Sequence, residues 1–312
     1  MVEMAVAGFA VLDGALVPWA EATIHVSSVA FKYGTSVFEG VRAYWNEDAQ
    51  ELYVFQLCEH LARLRYSQRF MRFDPAVDEQ LLFDGVIALL RKNEFRQSVH
   101  LTISAFIGSP GLMTLTGPAN FSIIAAPRPA IDTTQAGCSV QVSAWRRTPD
   151  ASAPTRVKCN ANYQNGRLAS LQAAGDGYDT ALMLNQAGKI SEGPAMCFFM
   201  VRGGRLVTPG INSDILESIT RTTVMTLARE MGMIVEERDI DRSELVDAEE
   251  AFFCGTAWEV TPIGSIDRIA IGDGAAGPMT VALRDRFTAV ATGAVPDFAE
   301  WRTPVYHSAN GG

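Results

Sequence analysis

The run Pro127-Arg128-Pro129-Ala130-Ile131-Asp132-Thr133-Thr134-Gln135-Ala136-Gly137 constrains this 312-residue chain most. Proline fixes φ and removes a backbone donor. The run keeps neither a two-residue nor a 3.6-residue apolar period, so neither a strand nor a helix passes through it. A chain of this length can build one large or two medium domains. The break predicts two: an N-terminal small α/β domain over 1–126, a linker over 127–137 and a larger C-terminal domain over 138–312. Strand and helix signals occur on both sides, which makes the fold class α/β (α+β).

Before the break, Phe9-Ala10-Val11 and Leu16-Val17-Pro18 flank Asp13-Gly14, a strong hairpin signal. Glu51–Phe55 reads as a strand. Apolar spacing predicts helices over Cys58–Met71 and Asp78–Lys92, then strands over Ser98–Phe106 and Phe121–Ala126. After the break, strands are expected over Ser139–Trp145, Thr180–Leu184, Cys197–Val201, Arg205–Thr208 and Glu250–Phe253. Helices are expected over Ala161–Ala174 and Ile219–Met231. The tail from His307 to Gly312 reads as frayed.

Four islands carry chemistry. Arg63 lies in His60-Leu61-Ala62-Arg63-Leu64, and Lys158 in Val157-Lys158-Cys159-Asn160-Ala161-Asn162-Tyr163. Glu192 lies in Ile190-Ser191-Glu192-Gly193, and Leu216-Glu217-Ser218-Ile219-Thr220-Arg221 opens a helix. They supply a cation, an amine, a carboxylate and a helix N-terminus. Those parts suit a phosphorylated aldehyde, pyridoxal 5′-phosphate (PLP). A lysine bonds the aldehyde, a carboxylate partners the pyridine nitrogen, and arginine with helix-start N–H groups binds phosphate. Each residue also has a plainer reading. Lys158 alone would be a surface lysine, Glu192 a solvated turn carboxylate, Arg63 part of a polar helix face, and Ser218 an ordinary N-cap.

In this set of islands the chain resembles the class IV aminotransferases, the fold-type IV PLP enzymes, and within them the branched-chain branch. Tyr33-Gly34-Thr35-Ser36-Val37-Phe38-Glu39-Gly40-Val41-Arg42 and Cys254-Gly255-Thr256-Ala257 add to the match, which runs from about residue 8 to residue 306. The resemblance implies a two-domain fold-type IV enzyme with the cofactor in the interdomain cleft. It implies that Lys158 is the catalytic lysine and that Arg63, Lys158, Tyr163, Glu192, Ile219, Thr220 and Thr256 bind PLP. It implies that Tyr33, Phe38, Arg42, His100, Thr102 and Ala257 bind substrate, partly across a homodimer or a higher homo-oligomer.

Two departures stand out. The branched-chain branch typically carries Tyr-Ile-Arg-Pro where this chain has His100-Leu101-Thr102-Ile103, so a bidentate cation is replaced by a hydroxyl. That puts glutamate as amino donor in doubt, and an unperturbed His100 would titrate near neutrality and bind a carboxylate pH-dependently. The second departure is Gly193-Pro194-Ala195 after Glu192. With Arg146-Arg147-Thr148-Pro149 it is similar to the (R)-selective amine transaminases. The expected activity is therefore transamination between an aliphatic or branched-chain L-amino acid and a 2-oxo acid. An amine transaminase or a PLP lyase stands as the alternative.

Composition excludes other classes. Net charge is −9 with no dense basic stretch, which disfavours nucleic acid and anionic membranes as partners. The five cysteines lack metal-type spacing and the four histidines do not cluster, so no metal site is expected. No signal peptide or membrane span is evident, and the thiols suggest a reducing cytoplasm.

Overall fold

A computed structural model of the chain describes residues 8–129 and 137–307. Its contacts divide into two compact units. One comprises Met1–Ala130, Val157–Ala161 and Ala289–Gly312, and the other Ile131–Arg156 and Asn162–Thr288. Most of the expected linker, residues 130–136, lies outside the described residues, as does the tail from 308. Two segments that the sequence places in the second domain pack with the first unit instead. Val157 and Cys159 are buried in the first unit's core, and Arg302–Pro304 pairs along Glu51–Phe55.

In the first unit, β1 (Phe9–Leu12) and β2 (Ala15–Pro18) form the expected hairpin. Asp13 and Gly14 both have positive φ, as a tight hairpin turn demands. Next come α1 (Val29–Tyr33), β3 (Ser36–Asn46), β4 (Glu51–Phe55), α2 (Leu57–Phe70), α3 (Glu79–Asn93), β5 (Val99–Phe106) and β6 (Asn120–Pro127). Asp78 caps α3 by accepting from the Gln80 and Leu81 N–H groups. The sheet has seven strands, in the order Arg302–Pro304, β4, β3, β5, β6, β1, β2. One face buries Val37, Val41, Ala43, Val99, Leu101, Ile103 and Ala105 against Leu57, Leu61 and Leu64 of α2 and Leu82, Val86 and Leu89 of α3. Because strand side chains alternate, the other face carries Phe38, Gly40 and Arg42 from β3 and, in register, Ser104, Thr102 and His100 from β5.

The second unit contains β7 (Cys138–Val142), α4 (Tyr163–Gly175), β8 (Thr180–Leu182), β9 (Cys197–Arg202), β10 (Arg205–Thr208), α5 (Ile219–Glu230), β11 (Val235–Glu237), β12 (Glu250–Gly255), β13 (Glu259–Ile266) and β14 (Ile269–Ala270). Its eight-stranded sheet runs β11-β10-β9-β12-β13-β7-β8 with β14 paired to β13. Strand β7 stops short of the expected Trp145, and β8 short of Leu184. Beyond β8 the chain turns back on itself: Met183 N–H donates to Glu192 O at 2.9 Å, and Ser191 N–H to Met183 O at 2.9 Å. That reversal fixes the place of Glu192. Helix α6 (Pro278–Thr292) starts where Glu250, reaching from β12, accepts from the Met279 and Thr280 N–H groups. Among the described residues no helix is long and apolar enough to cross a membrane.

Candidate active site

Lys158 is held against β3. Phe38 N–H donates to Lys158 O at 3.0 Å, and Cys159 bridges Val37. Val157 and Cys159 are buried in the core, whereas Lys158 between them is half-buried and its amine lies by Phe38, on the sheet's other face. Its Nζ lies 4.8 Å from the centroid of the Phe38 ring, a cation–π distance. Its backbone N–H donates to Ser67 Oγ of α2 at 3.3 Å. The structure thus brings together the expected catalytic lysine and one expected substrate residue.

Arg63 reaches a partner that the sequence reading did not single out. Its Nε and Nη2 each lie 2.7 Å from an oxygen of Glu39, and His60 Nδ1 lies 2.7 Å from Glu39 Oε2. Burial pushes the Glu39 carboxyl up, but the Arg63 charge and hydrogen bonds, joined by His60, outweigh it and hold the group at about 2. Burial also pushes His60 below its ordinary value, against the pull of Glu39. A carboxylate only accepts, so the neutral imidazole carries its proton on Nδ1. The available signal was the His-x-x-Arg spacing, which puts both basic residues on one face of a helix.

On the opposite face, Arg42 and His100 are direct cross-strand partners, as are Gly40 and Thr102. A Cβ on Gly40 would stand 3.1 Å from His100 Cε1, so the imidazole lies over that glycine. His100 Nδ1 is buried without a hydrogen-bond partner among the described residues. Burial, then the charges of Arg128, Arg42 and Lys158, push His100 down to about 4. The expected titration near neutrality is therefore corrected: the ring is neutral at physiological pH. Arg42 is buried, with Nη2 donating to Pro129 O at 3.4 Å. Tyr33 closes α1 and is 41% exposed.

In the second unit Glu192 is buried and both its oxygens are engaged. Arg147 Nη2 lies 2.8 Å from Oε1, and Leu216 N–H donates to Oε2 at 3.2 Å. Arg147 was noticed in the sequence only as part of a motif, without this partner. Helix α5 begins after Ser218, whose Oγ caps Arg221 N–H at 3.2 Å. Its first turn holds no acidic residue, and the Ile219 and Thr220 N–H groups make no hydrogen bond among the described residues. Thr256 and Ala257 lie in a three-residue hairpin loop between β12 and β13, closed by Glu259 at φ 48°. Tyr163 is half-buried at the start of α4.

These groups fit PLP by their chemistry. Two helix-start N–H groups lacking a partner suit a phosphate, a buried carboxylate suits a pyridinium, and an amine turned out of the core suits an aldehyde. Among the described residues no group of three or more His, Cys, Asp or Glu could hold a metal ion. A mostly apolar groove in the second unit, lined by Leu245, Val246, Ile266, Ile269 and Ile271, contains none of the expected residues.

Comparisons with known proteins agree. Residues 36–266 match the model of the family described as amino-transferase class IV. A probable branched-chain-amino-acid aminotransferase of Aquifex aeolicus is 39% identical over 305 residues, covering 96% of this chain and 97% of the relative. The crystal structure of the branched-chain amino acid aminotransferase from Thermobaculum terrenum in PLP form superposes with a TM-score of 0.90 at 40% identity, covering 97% of this chain and 99% of that one. The crystal structure of the branched-chain aminotransferase from the archaeon Thermoproteus uzoniensis with norvaline gives a TM-score of 0.91 at 36% identity, covering 96% of this chain and 100% of that one.

Proposed function

The chain belongs to the class IV aminotransferases, and from that premise we propose that it transfers amino groups between branched-chain L-amino acids and 2-oxo acids, with PLP as cofactor. The observation that carries the reading is the placement of Lys158, turned out of the core between buried Val157 and Cys159 with its amine over Phe38. When bound, PLP supplies an aldehyde carbon that takes up the amino group and a ring that draws electrons from the substrate Cα. Lys158 Nζ would bond the aldehyde at rest and, once released, would carry the substrate Cα proton. Glu192 would face the ring nitrogen, and Tyr163 would orient the ring. Arg63, the Ile219 and Thr220 N–H groups and Thr256 would hold the phosphate.

Substrate specificity is assigned to the face of β3 and β5 that carries Phe38, Arg42, His100 and Thr102, together with Tyr33 and the Ala257 loop. Phe38 suits an aliphatic side chain. Arg42, paired across the strands with His100, supplies a permanent cation near Thr102, and so favours carboxylate substrates over simple amines. We also propose a homodimer in a reducing cytoplasm. Supporting the dimer, Ile24, Val26, Phe31, Leu112 and Met113 are all exposed, and the Ser28–Pro110 bridge joins the two stretches that carry them. All five cysteines are free, which suits the compartment.

The deciding experiment is a half-reaction on the purified PLP form. L-leucine, L-valine, L-glutamate, D-alanine and an (R)-arylalkylamine are added separately while the cofactor absorbance is followed. Rapid conversion by L-leucine or L-valine is expected, and conversion by L-glutamate would identify the donor. Response to the amine or D-alanine alone would overturn the substrate assignment. Lys158→Ala should abolish turnover, and a variant with normal turnover would overturn the mechanism.

A further inference from the structure

We propose that Glu39 is a positioning residue that fixes the Arg63 guanidinium for the cofactor phosphate, with His60 as a second donor to the carboxylate. The inference rests on the PLP reading above. Glu39 is fully buried on β3, two residues from Val37 and two from Val41, which line the hydrocarbon core. An ionised carboxylate is costly there, and an apolar pair in place of Glu39 and Arg63 together would often be as stable. The charge therefore has a use other than packing.

Its geometry shows that use. Arg63 Nε and Nη2 meet the two Glu39 oxygens, each at 2.7 Å. This paired fork fixes the rotation of the guanidinium plane, which a single contact would leave loose. His60 lies three residues earlier, on the same face of α2, and donates from Nδ1 to Glu39 Oε2 at 2.7 Å. Being neutral, it adds a directional constraint without a third charge. An anion arriving at Arg63 thus meets a cation whose ordering has already occurred on folding, and preorganisation of this kind raises affinity.

The arrangement makes a prediction opposite in sign to simple electrostatics. Glu39 cancels the Arg63 charge, so a purely coulombic site would bind phosphate better once the carboxylate withdrew. A positioned site would bind it worse. Glu39→Asp keeps the charge and shortens the reach by one methylene, which breaks the fork. The full chain, freed of cofactor, is titrated with PLP and with pyridoxal, which lacks the phosphate. Wild type should prefer PLP. In Glu39→Asp the affinity for PLP should fall by on the order of tenfold, the loss of one charge-assisted hydrogen bond, while that for pyridoxal is unchanged. In the PLP-loaded protein, the ³¹P resonance should shift toward that of free PLP. His60→Phe keeps the bulk and removes only the Nδ1–H donor, and should lower the PLP-to-pyridoxal ratio by a smaller factor. A merely structural carboxylate would lower thermal stability and leave the ratio alone.

An unchanged ratio in both variants, beside a wild type that prefers PLP, overturns the role of Glu39 while the cofactor reading stands. A wild type that does not distinguish PLP from pyridoxal overturns both.

Discussion

Replacing Arg147 by Met tests the buried ion pair behind the proposed ring partner. Arg147 and Glu192 lie 2.8 Å apart, with side chains 8% and 7% exposed. Methionine keeps much of the length and volume but removes the charge. Glu192 still accepts from the Leu216 N–H at 3.2 Å and lies 3.9 Å from the Cys197 thiol, but the guanidinium charge at 2.8 Å is gone. Breaking a buried pair by removing one partner costs about 3–5 kcal/mol. For a unit of this size each kcal/mol moves the thermal midpoint by about 2–4 °C, so the cofactor-free variant should melt roughly 6–20 °C below the cofactor-free wild type.

The cofactor changes the expected size of the effect. If Glu192 faces the pyridine nitrogen, bound PLP supplies a ring N–H where the guanidinium was lost. The gap between variant and wild type should then shrink when both are saturated with PLP. Scanning calorimetry of the two proteins, each with and without saturating PLP, gives all four midpoints. Equal gaps in the two states would show that PLP gives Glu192 no compensation, and would refute its assignment as the ring partner. The absence of any gap without cofactor would refute the electrostatic argument itself.

Three further outcomes follow from single contacts. Gly166→Ala gains about 1 kcal/mol of helix propensity, yet its Cβ would stand 2.4 Å from the Pro194 carbonyl oxygen, an atom of the backbone just beyond Glu192; the thermal midpoint should fall, and a rise would show that the loop yields. Glu51 accepts from the Leu52, Val305, Tyr306 and His307 N–H groups, which hold its carboxyl below its ordinary value against the opposing effect of burial. Its stabilisation is thus complete above the ordinary carboxylate pKa and lost as pH falls through the depressed one; Glu51→Gln should flatten the acid dependence of the midpoint, and an unchanged dependence would refute this. His100, held at about 4, should remain neutral by ¹⁵N NMR from pH 8 to pH 5, and a midpoint near 6.5 would contradict the burial argument.

The elements legible in the sequence were those whose burial is one-sided. Helix α3 keeps an apolar stripe of Leu82, Val86, Leu89 and Leu90, α2 keeps Leu57, Leu61 and Leu64 on its buried face, and β5 alternates Val99, Leu101, Ile103 and Ala105 with His100, Thr102 and Ser104. The hairpin at Asp13-Gly14 announced itself through its turn chemistry. Strand β3 did not, because its core face interrupts Val37 and Val41 with Glu39 while the other face holds Phe38, Gly40 and Arg42. Both faces mix polar and apolar, so neither period survives. Helix α6 was missed for another reason: its starting N–H groups are satisfied by Glu250, distant in sequence, so no local cap marks its beginning. The site residues were expected by resemblance alone, and the contacts of Glu39 with Arg63 and of Arg147 with Glu192 were not foreseen, since each pair is brought together only by folding.

The corrected state of His100 bears on how the strand face can recognise a substrate. Gly40 leaves the space that the imidazole fills, with its Cε1 3.1 Å from where a Cβ would stand. The sheet itself therefore buries the ring before any ligand arrives. The charges of Arg128, Arg42 and Lys158 add to that effect, and each opposes a further positive charge. A ring so placed cannot attract a carboxylate by taking up a proton near neutrality. If this face binds substrate as proposed, attraction for a carboxylate falls to an arginine such as Arg42 and not to the imidazole. His100 then acts by shape and by whichever neutral tautomer its neighbours admit. Substrate carboxylate recognition there should be as constant with pH as a guanidinium is, despite a histidine at a position where the sequence suggested a switch.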